Sequence, residues 1–386
     1  MFQLSFKVTV TQSTHPGYEL VRDDAKFSGG RSAGTCYMPD DYDALKSEPT
    51  DKTAERAESN IANKHHSVFD HCSYSVMFEG IPKILAMILN NEKAYATSEK
   101  SARYTKMKPS EQERVLYEKW IQIFQDLILQ KYPDTDETKV KKLAQENARY
   151  LISVFTPTSM EYTATFGQWS KIVYWFRKFI AEETSNVFFN KLKPYMEEFV
   201  ENMKFLEVEG LNDEAKGGEL SLFDRRQSRQ EHFGETYCTT YLGSFAQLAQ
   251  AHRHRTLDYK MVVPDVDPKF FIPPIIADSV ELMDLWLGDI ESVVEFFPQG
   301  MLISIRERGT YEKFILKTKE RLCSGAQLEI SMQTYNTLQN FIGETSMSDL
   351  AVFSEIKLYD HGARCASGYK CTNPCKWGKN QLERLI

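Results

Sequence analysis

The sequence predicts an α+β protein of two tandem lobes, each a small, mainly antiparallel sheet packed with long helices, together forming a pseudo-dimer. Two repeated blocks lead to this reading, and internal repetition is the first thing to test in a chain of 386 residues. In the first block, a strand-like run ends in glycine and is followed by an apolar helical run. It occurs as Cys72 to Gly80 before Ile81 to Asn90, and as Tyr237 to Gly243 before Ser244 to His252. The second block opens on Phe155-Thr156-Pro157 and on Phe296-Phe297-Pro298. Apolar residues then alternate with polar ones, Met160, Tyr162, Ala164 and Phe166 in one copy and Met301, Ile303 and Ile305 in the other, as a half-buried strand requires. Each copy continues into a helical stretch, Trp169 to Glu183 and Tyr311 to Leu322. The reading divides the chain into a first repeat at 1–203, a second at 204–360 and a cysteine-containing tail at 361–386.

The remaining elements follow from local chemistry. The opening residues, Met1 to Val8, alternate as a strand does and lack the continuous apolar run of a signal peptide. Residues 26–50 read as a loop whose Gly29, Gly30 and Gly34 either form turns or let the backbone approach a phosphate. Ser110-Glu111-Gln112-Glu113 is a capping box, so a helix should begin there and stop near Pro133. A further helix is expected from Asp136-Glu137 toward Val154. The copies join in residues 204–230, where Gly210, Asn212, Gly217 and Gly218 interrupt the helical pattern.

Bulk properties exclude several classes. A formal net charge of -7 argues against sequence-independent nucleic-acid binding, which needs surplus Lys and Arg to displace counterions. Small anionic substrates remain open, since a basic cleft can sit on an acidic protein. No stretch approaches the roughly 18 apolar residues of a membrane span, so the chain reads as cytoplasmic with no membrane partner. The seven cysteines are odd in number, which fits reduced thiols. His361, Cys365, Cys371 and Cys375 offer four soft ligands in a Gly- and Pro-containing tail, a weak zinc candidate beside the alternative of thiols that bind nothing.

Two clusters carry chemistry. Arg253-His254-Arg255 follows an apolar helix and presents two guanidinium groups and an imidazole, either to grip phosphate or to complement the helix dipole in solvent. Gln250, three residues earlier, can add amide hydrogen bonds to a base. In the first half, Glu99-Lys100-Ser101-Ala102-Arg103-Tyr104 places a carboxylate, a hydroxyl, small residues and an arginine within one turn or loop.

These motifs resemble those of the flavin-dependent thymidylate synthases (ThyX), whose signature is Arg-His-Arg, seven residues, Ser, one residue and Arg-Tyr. The first half keeps the spacing from Asn91-Glu92-Lys93 to Ser101-Ala102-Arg103-Tyr104 but has lost the triplet. The second half keeps the triplet but continues Thr256-Leu257-Asp258-Tyr259-Lys260. His65-His66-Ser67-Val68-Phe69-Asp70-His71 looks like the family's His-x-Thr-Pro-Phe-Glu-His segment, which puts Ser67 and Asp70 at flavin-contacting positions. Arg321 to Ile330 resembles the Arg-Ala-x-x-x-Ala-Gln-x-Glu-Ile helix, whose arginine binds uracil.

The resemblance implies reductive methylation of dUMP to dTMP, with methylenetetrahydrofolate as carbon donor and NADPH reducing FAD. It implies Glu99, Lys100, Ser101, Ala102, Arg103, Gln250 and Arg321 as substrate-binding, and Ser67, Asp70, Ser98, Glu99, Arg253, His254 and Arg255 as cofactor-binding. Arg253, His254, Arg255 and Arg321 would be the catalytic set. One composite site would be competent, while its mirror, from Asn91-Glu92-Lys93 and Thr256-Leu257-Asp258, would be dead. Two fused chains would pair as a homodimer, a four-lobed particle. A different modification of dUMP, such as hydroxymethylation, and a non-catalytic nucleotide-binding homologue are the alternatives.

The chain departs from the family pattern in three places. Gly80 is one residue farther from Asn91 than Gly243 is from Arg253, which suggests an insertion in the first helix. The family's flavin-contacting Asn-x-Arg falls near Trp169 and Lys171 in one copy and Thr310 and Glu312 in the other. Arg149 is a loose candidate for a second substrate arginine.

Overall fold

The computed structural model describes residues 5–14, 22–37, 41–102, 105, 107–212, 218–224, 230–345 and 350–360, with 365, 368, 370, 371, 375 and 382–386 beyond. The elements in chain order are β1 (Lys7–Ser13), α1 (Arg22–Gly34), α2 (Tyr42–Lys46), α3 (Thr50–Ala62), β2 (Ser73–Pro82), α4 (Lys83–Leu89) and β3 (Ala96–Glu99). Next come α5 (Glu111–Lys131), α6 (Glu137–Ala148), β4 (Pro157–Thr165), α7 (Phe166–Ala181) and α8 (Val187–Met203). The chain continues with β5 (Thr236–Ser244), α9 (Phe245–Ala251), β6 (Asp258–Val262), α10 (Val280–Glu291), β7 (Leu302–Thr310), α11 (Tyr311–Arg321), α12 (Leu328–Thr345) and α13 (Leu350–Lys357).

Contacts divide the chain into two compact units that do not follow chain order. Unit 1 is Met1–Lys100 with Pro157–Leu220, and unit 2 is Ser101–Thr156 with Ser221–Ile386. Residues 101–156, part of the first repeat by sequence, therefore belong to the unit that holds the second repeat.

Unit 1 is built on an antiparallel sheet of order β1-β2-β4-β3. β4 alternates half-buried and buried positions throughout, as its sequence pattern requires. Its inward Met160, Tyr162 and Ala164 join Tyr74, Val76 and Phe78 of β2 beneath α7 and α8. Phe78 and Phe176 both stack on Phe199, at 5.8 and 4.4 Å between centroids, and the Trp169 indole donates to the Tyr74 carbonyl.

The expected loop at 26–50 is helical as far as Gly34. Its glycines stand in a helix and not in a turn, and they let α1 pack closely. A Cβ on Gly29 would collide with the Phe69 ring, one on Gly30 with the Thr53 carbonyl, and one on Gly34 with Leu45.

Unit 2 carries a sheet of order β5-β7-β6, also antiparallel. Ser110 caps α5 by the expected box, and the Glu113 carboxylate also takes the Ser153 N–H at 2.6 Å. The helix stops at Lys131, while α6 ends at Ala148, earlier than the pattern toward Val154 suggests. Trp120 of α5 meets Trp286 of α10 edge-on at 4.8 Å between centroids, and its indole donates to Asp289. α5 thus buries Glu113, Tyr117, Trp120, Phe124 and Ile128 in unit 2 and exposes its charged face.

The two sheets share their pairing. Counted back from Thr165 and Thr310, Tyr74 opposes Ala164 where Tyr237 opposes Gly309, and Ala96 opposes Thr163 where Asp258 opposes Arg308. The extra residue of β2 relative to β5 is Gly80 itself. The register of β2 on β4 shifts between Glu79 and Ile81, and Gly80 sits there at φ +89 as a bulge. The expected insertion in the helix is corrected accordingly, since α4 and α9 have 7 residues each. With the bulge absorbed, Asn91-Glu92-Lys93 and Arg253-His254-Arg255 fall at matching positions before β3 and β6.

Candidate functional site

The polar cluster of unit 2 grows from one loop and the helices on either side of it. Ser244 caps α9, its side chain accepting from the Gln247 N–H. The helix ends in a 3-10 turn at His252–His254, and Arg255 closes it in the left-handed region at φ 56. Across from it, α11 ends at Arg321 and α12 begins at Leu328.

Arg321, nearly buried, donates to the backbone carbonyl of Gln250. The Gln250 amide donates to the Gln327 carbonyl oxygen at 2.7 Å, and the Arg149 guanidinium donates to that same oxygen. Gln327 in turn donates to the Tyr150 hydroxyl, which donates to Glu329 at 2.8 Å. Glu329 also accepts the Ser244 N–H at 2.8 Å and its hydroxyl at 2.6 Å, so the acid of α12 fixes the start of α9. Burial pushes the Glu329 carboxyl up, opposed by hydrogen bonds from Ser244 and Tyr150. Gln250 and Arg321 were expected here. Gln327 and Glu329 lay within the quoted motif without an assigned role, Arg149 was a loose candidate for a second substrate arginine, and Tyr150 carried no sequence signal.

Arg253 is half-buried, while His254 and Arg255 are exposed. Desolvation of its ring, followed by the charges of Arg321, Arg253 and Arg255, pushes the His254 imidazole down to about 4. Neutral at pH 7, it offers one donor and one acceptor between cations, a set that suits an anionic group.

Ser101 and Ala102 belong to this same unit and are half-buried. The Ser101 carbonyl accepts from the Thr105 N–H at 3.0 Å and its hydroxyl at 2.7 Å, closing a turn. Arg103 and Tyr104 lie outside the described residues.

The other expected residues are in unit 1. The Glu99 carboxylate is buried and taken up by Lys83 Nζ at 2.5 Å and Asn90 Nδ2 at 3.2 Å, so it reads as a structural acid. Lys100 and Ser98 are exposed, and the Lys100 N–H pairs with the Ser159 carbonyl at 2.9 Å. Ser67 is exposed, and Asp70 accepts the Thr165 hydroxyl on Oδ1 at 2.6 Å, beside Gly167. Trp169 and Thr310, set at one motif position by sequence, are not equivalent. Thr310 precedes α11 as Thr165 precedes α7, and Trp169 is a core residue whose counterpart is Phe314.

Cys365, Cys371 and Cys375 form no disulfide, and among the described residues no group of three His, Cys, Asp or Glu could hold a metal ion. His361 lies outside the described residues. Among the described residues no helix is long and apolar enough to cross a membrane.

Comparison with known proteins adds a resemblance. No curated protein matches the chain. It is similar to a UMP/dUMP methylase, PolB, from Streptomyces cacaoi bound with 5-Br dUMP, at 13% identity and a TM-score of 0.33 over 50% of this chain and 88% of that one. It is also similar to thymidylate synthase X from Helicobacter pylori with FAD and dUMP, at 13% identity and a TM-score of 0.31 over 53% of this chain and 94% of that one. The family model described as thymidylate synthase complementing protein matches residues 23–178, the half that lacks Arg-His-Arg. Residues 23–178 of this chain are thus similar to the thymidylate synthase complementing protein family.

Proposed function

We propose that the chain is a dUMP-modifying enzyme of the flavin-dependent thymidylate synthase type, converting dUMP to dTMP with methylenetetrahydrofolate as carbon donor, NADPH as reductant and FAD as cofactor. The observation that carries this reading is the meeting of Gln250, Arg321 and Gln327 in unit 2, with the Arg253-His254-Arg255 turn on the same helix end. These residues come from separate segments that resemble the family's nucleotide-contacting motifs. The family match over residues 23–178 supports it independently.

In this reading Arg321 recognises a uracil carbonyl, Ser101 and Arg103 take the phosphate and ribose, and the triplet faces flavin and folate. FAD, when bound, supplies the hydride chemistry. The chain's own residues bind and orient the nucleotide. The reading also takes the two sheets, alike in strand order and register, as diverged tandem copies, and the fused chain as a homodimer.

A second reading, a non-catalytic nucleotide-binding homologue, is favoured by one observation: the Glu99 carboxylate is already held by Lys83 and Asn90. Tritium release from dUMP labelled at carbon 5, with NADPH, FAD and methylene-folate present, separates the two. Catalysis predicts release that is abolished by both Arg103→Ala and Arg255→Ala. Absence of release, together with no flavin absorbance after incubation with FAD, would establish the second reading, and product analysis distinguishes methylation from hydroxymethylation.

A further inference from the structure

The loop between α11 and α12 has Arg321 at one end and Gln327 at the other, so its shape sets the spacing of two groups that converge on Gln250. A helix C-terminus leaves backbone carbonyls without intrahelical partners, and this loop must find donors for them. Part of the supply is local. The Ala326 N–H pairs with the Cys323 carbonyl at 2.9 Å, and the Ser331 hydroxyl donates to the Arg321 carbonyl at 2.7 Å.

The rest comes from far along the chain. Arg384, only 4% exposed, donates through Nη1 to the Ser324 carbonyl at 2.9 Å and through Nη2 to the Ala326 carbonyl at 2.7 Å. The same Nη2 lies 3.4 Å from the Ser331 hydroxyl that holds the Arg321 carbonyl. The next residues are anchored in the same unit: the Leu385 N–H donates to the Tyr132 hydroxyl at 3.1 Å, and Ile386 is buried. A planar fork reaching two carbonyls holds both at fixed separation, which a lysine ammonium does as a single point.

We propose that Arg384 is a positioning residue for the nucleotide site, a clamp on residues 322–327 that holds Arg321 and Gln327 in binding geometry. The inference rests on the nucleotide-site reading above. A cap that serves only the stability of α11 would also involve these carbonyls, so the test must separate stability from nucleotide affinity.

Hydrogen exchange of the segment 322–327 and the dUMP dissociation constant are measured on the full chain for wild type, Arg384→Met and Arg384→Lys. In Arg384→Met the segment exchanges at least about tenfold faster and dUMP binds at least about tenfold more weakly, with Arg384→Lys between the two. Should Arg384→Met fail to fold, Arg384→Lys and Ser331→Ala carry the same comparison. Unchanged exchange in the segment overturns the clamp, and faster exchange with unchanged dUMP affinity overturns its positioning role. A wild-type chain that binds no dUMP overturns the nucleotide reading instead, and exchange alone then decides whether the clamp exists.

Discussion

The centres of the two sheets solve the same packing problem with different chemistry. Three residues before the helix cap, unit 1 has Tyr162 and unit 2 has Glu307; at the seventh residue of the following helix they have Ile172 and Lys317. In unit 1 the Tyr162 hydroxyl meets the Leu89 and Glu92 carbonyls, each at 2.9 Å, and its ring stacks on Tyr95 at 4.9 Å. In unit 2 the buried Glu307 accepts from buried Tyr237 at 2.7 Å, half-buried Tyr241 at 2.9 Å and buried Lys317 at 2.5 Å. Burial pushes the Lys317 ammonium down, and Glu307 opposes that shift. One turn farther on, unit 1 has Phe176 in its aromatic core where unit 2 has Arg321. The lesson is that similar strand pairing supports a polar cluster in one unit and an aromatic core at the corresponding positions of the other.

The largest test of that contrast is the buried pair. Lys317→Met leaves Glu307 charged and unpaired among tyrosines and should cost about 3–5 kcal/mol of stability by denaturant titration. Glu307→Leu combined with Lys317→Met should recover most of the loss, whereas Ile172→Val in unit 1 should cost only about 0.5–1.5 kcal/mol. A Lys317→Met variant as stable as Ile172→Val would break the comparison.

Next in size, Tyr162→Phe removes a donor shared by two buried carbonyls and should cost about 1–3 kcal/mol, read from the same titration. A cost below about 0.5 kcal/mol would mean that water replaces the hydroxyl. Gly80→Ala should cost about 1–2 kcal/mol through its left-handed backbone alone, because the nearest atom to an added Cβ is 3.7 Å away. A neutral result would show that the bulge relaxes when strained.

The smallest effect concerns the triplet that unit 1 lacks. His254 binds its proton near pH 4 when folded and near 6.5 when unfolded, so the unfolded state holds more protons between these values. Stability should therefore fall as pH drops from about 6.5 to about 4, and His254→Gln should flatten that part of the profile. An imidazole that titrates by NMR near 6.5 in the folded chain would contradict it.

Features that depend on neighbouring residues were legible in the sequence. The capping box at Ser110 and the alternation of β4 arise from short-range chemistry, and the structure bears them out. Gln250 and Arg321 were found because their spacing resembles known motifs. The glycines of α1 were misread because a close helix contact and a flexible loop select the same residue, and only Phe69, Ala57 and Leu45 reveal which applies.

By itself, the sequence determined the periodicities and the caps, since each depends on hydrogen bonds and side-chain directions within a few residues. Only the tertiary structure decided that Gly80 is a strand bulge, that Glu99 is held by Lys83, that residues 101–156 belong with the second half, and that Arg384 reaches the Arg321 loop. Those outcomes depend on which distant donor meets which buried acceptor, and such pairings leave no local pattern in the chain.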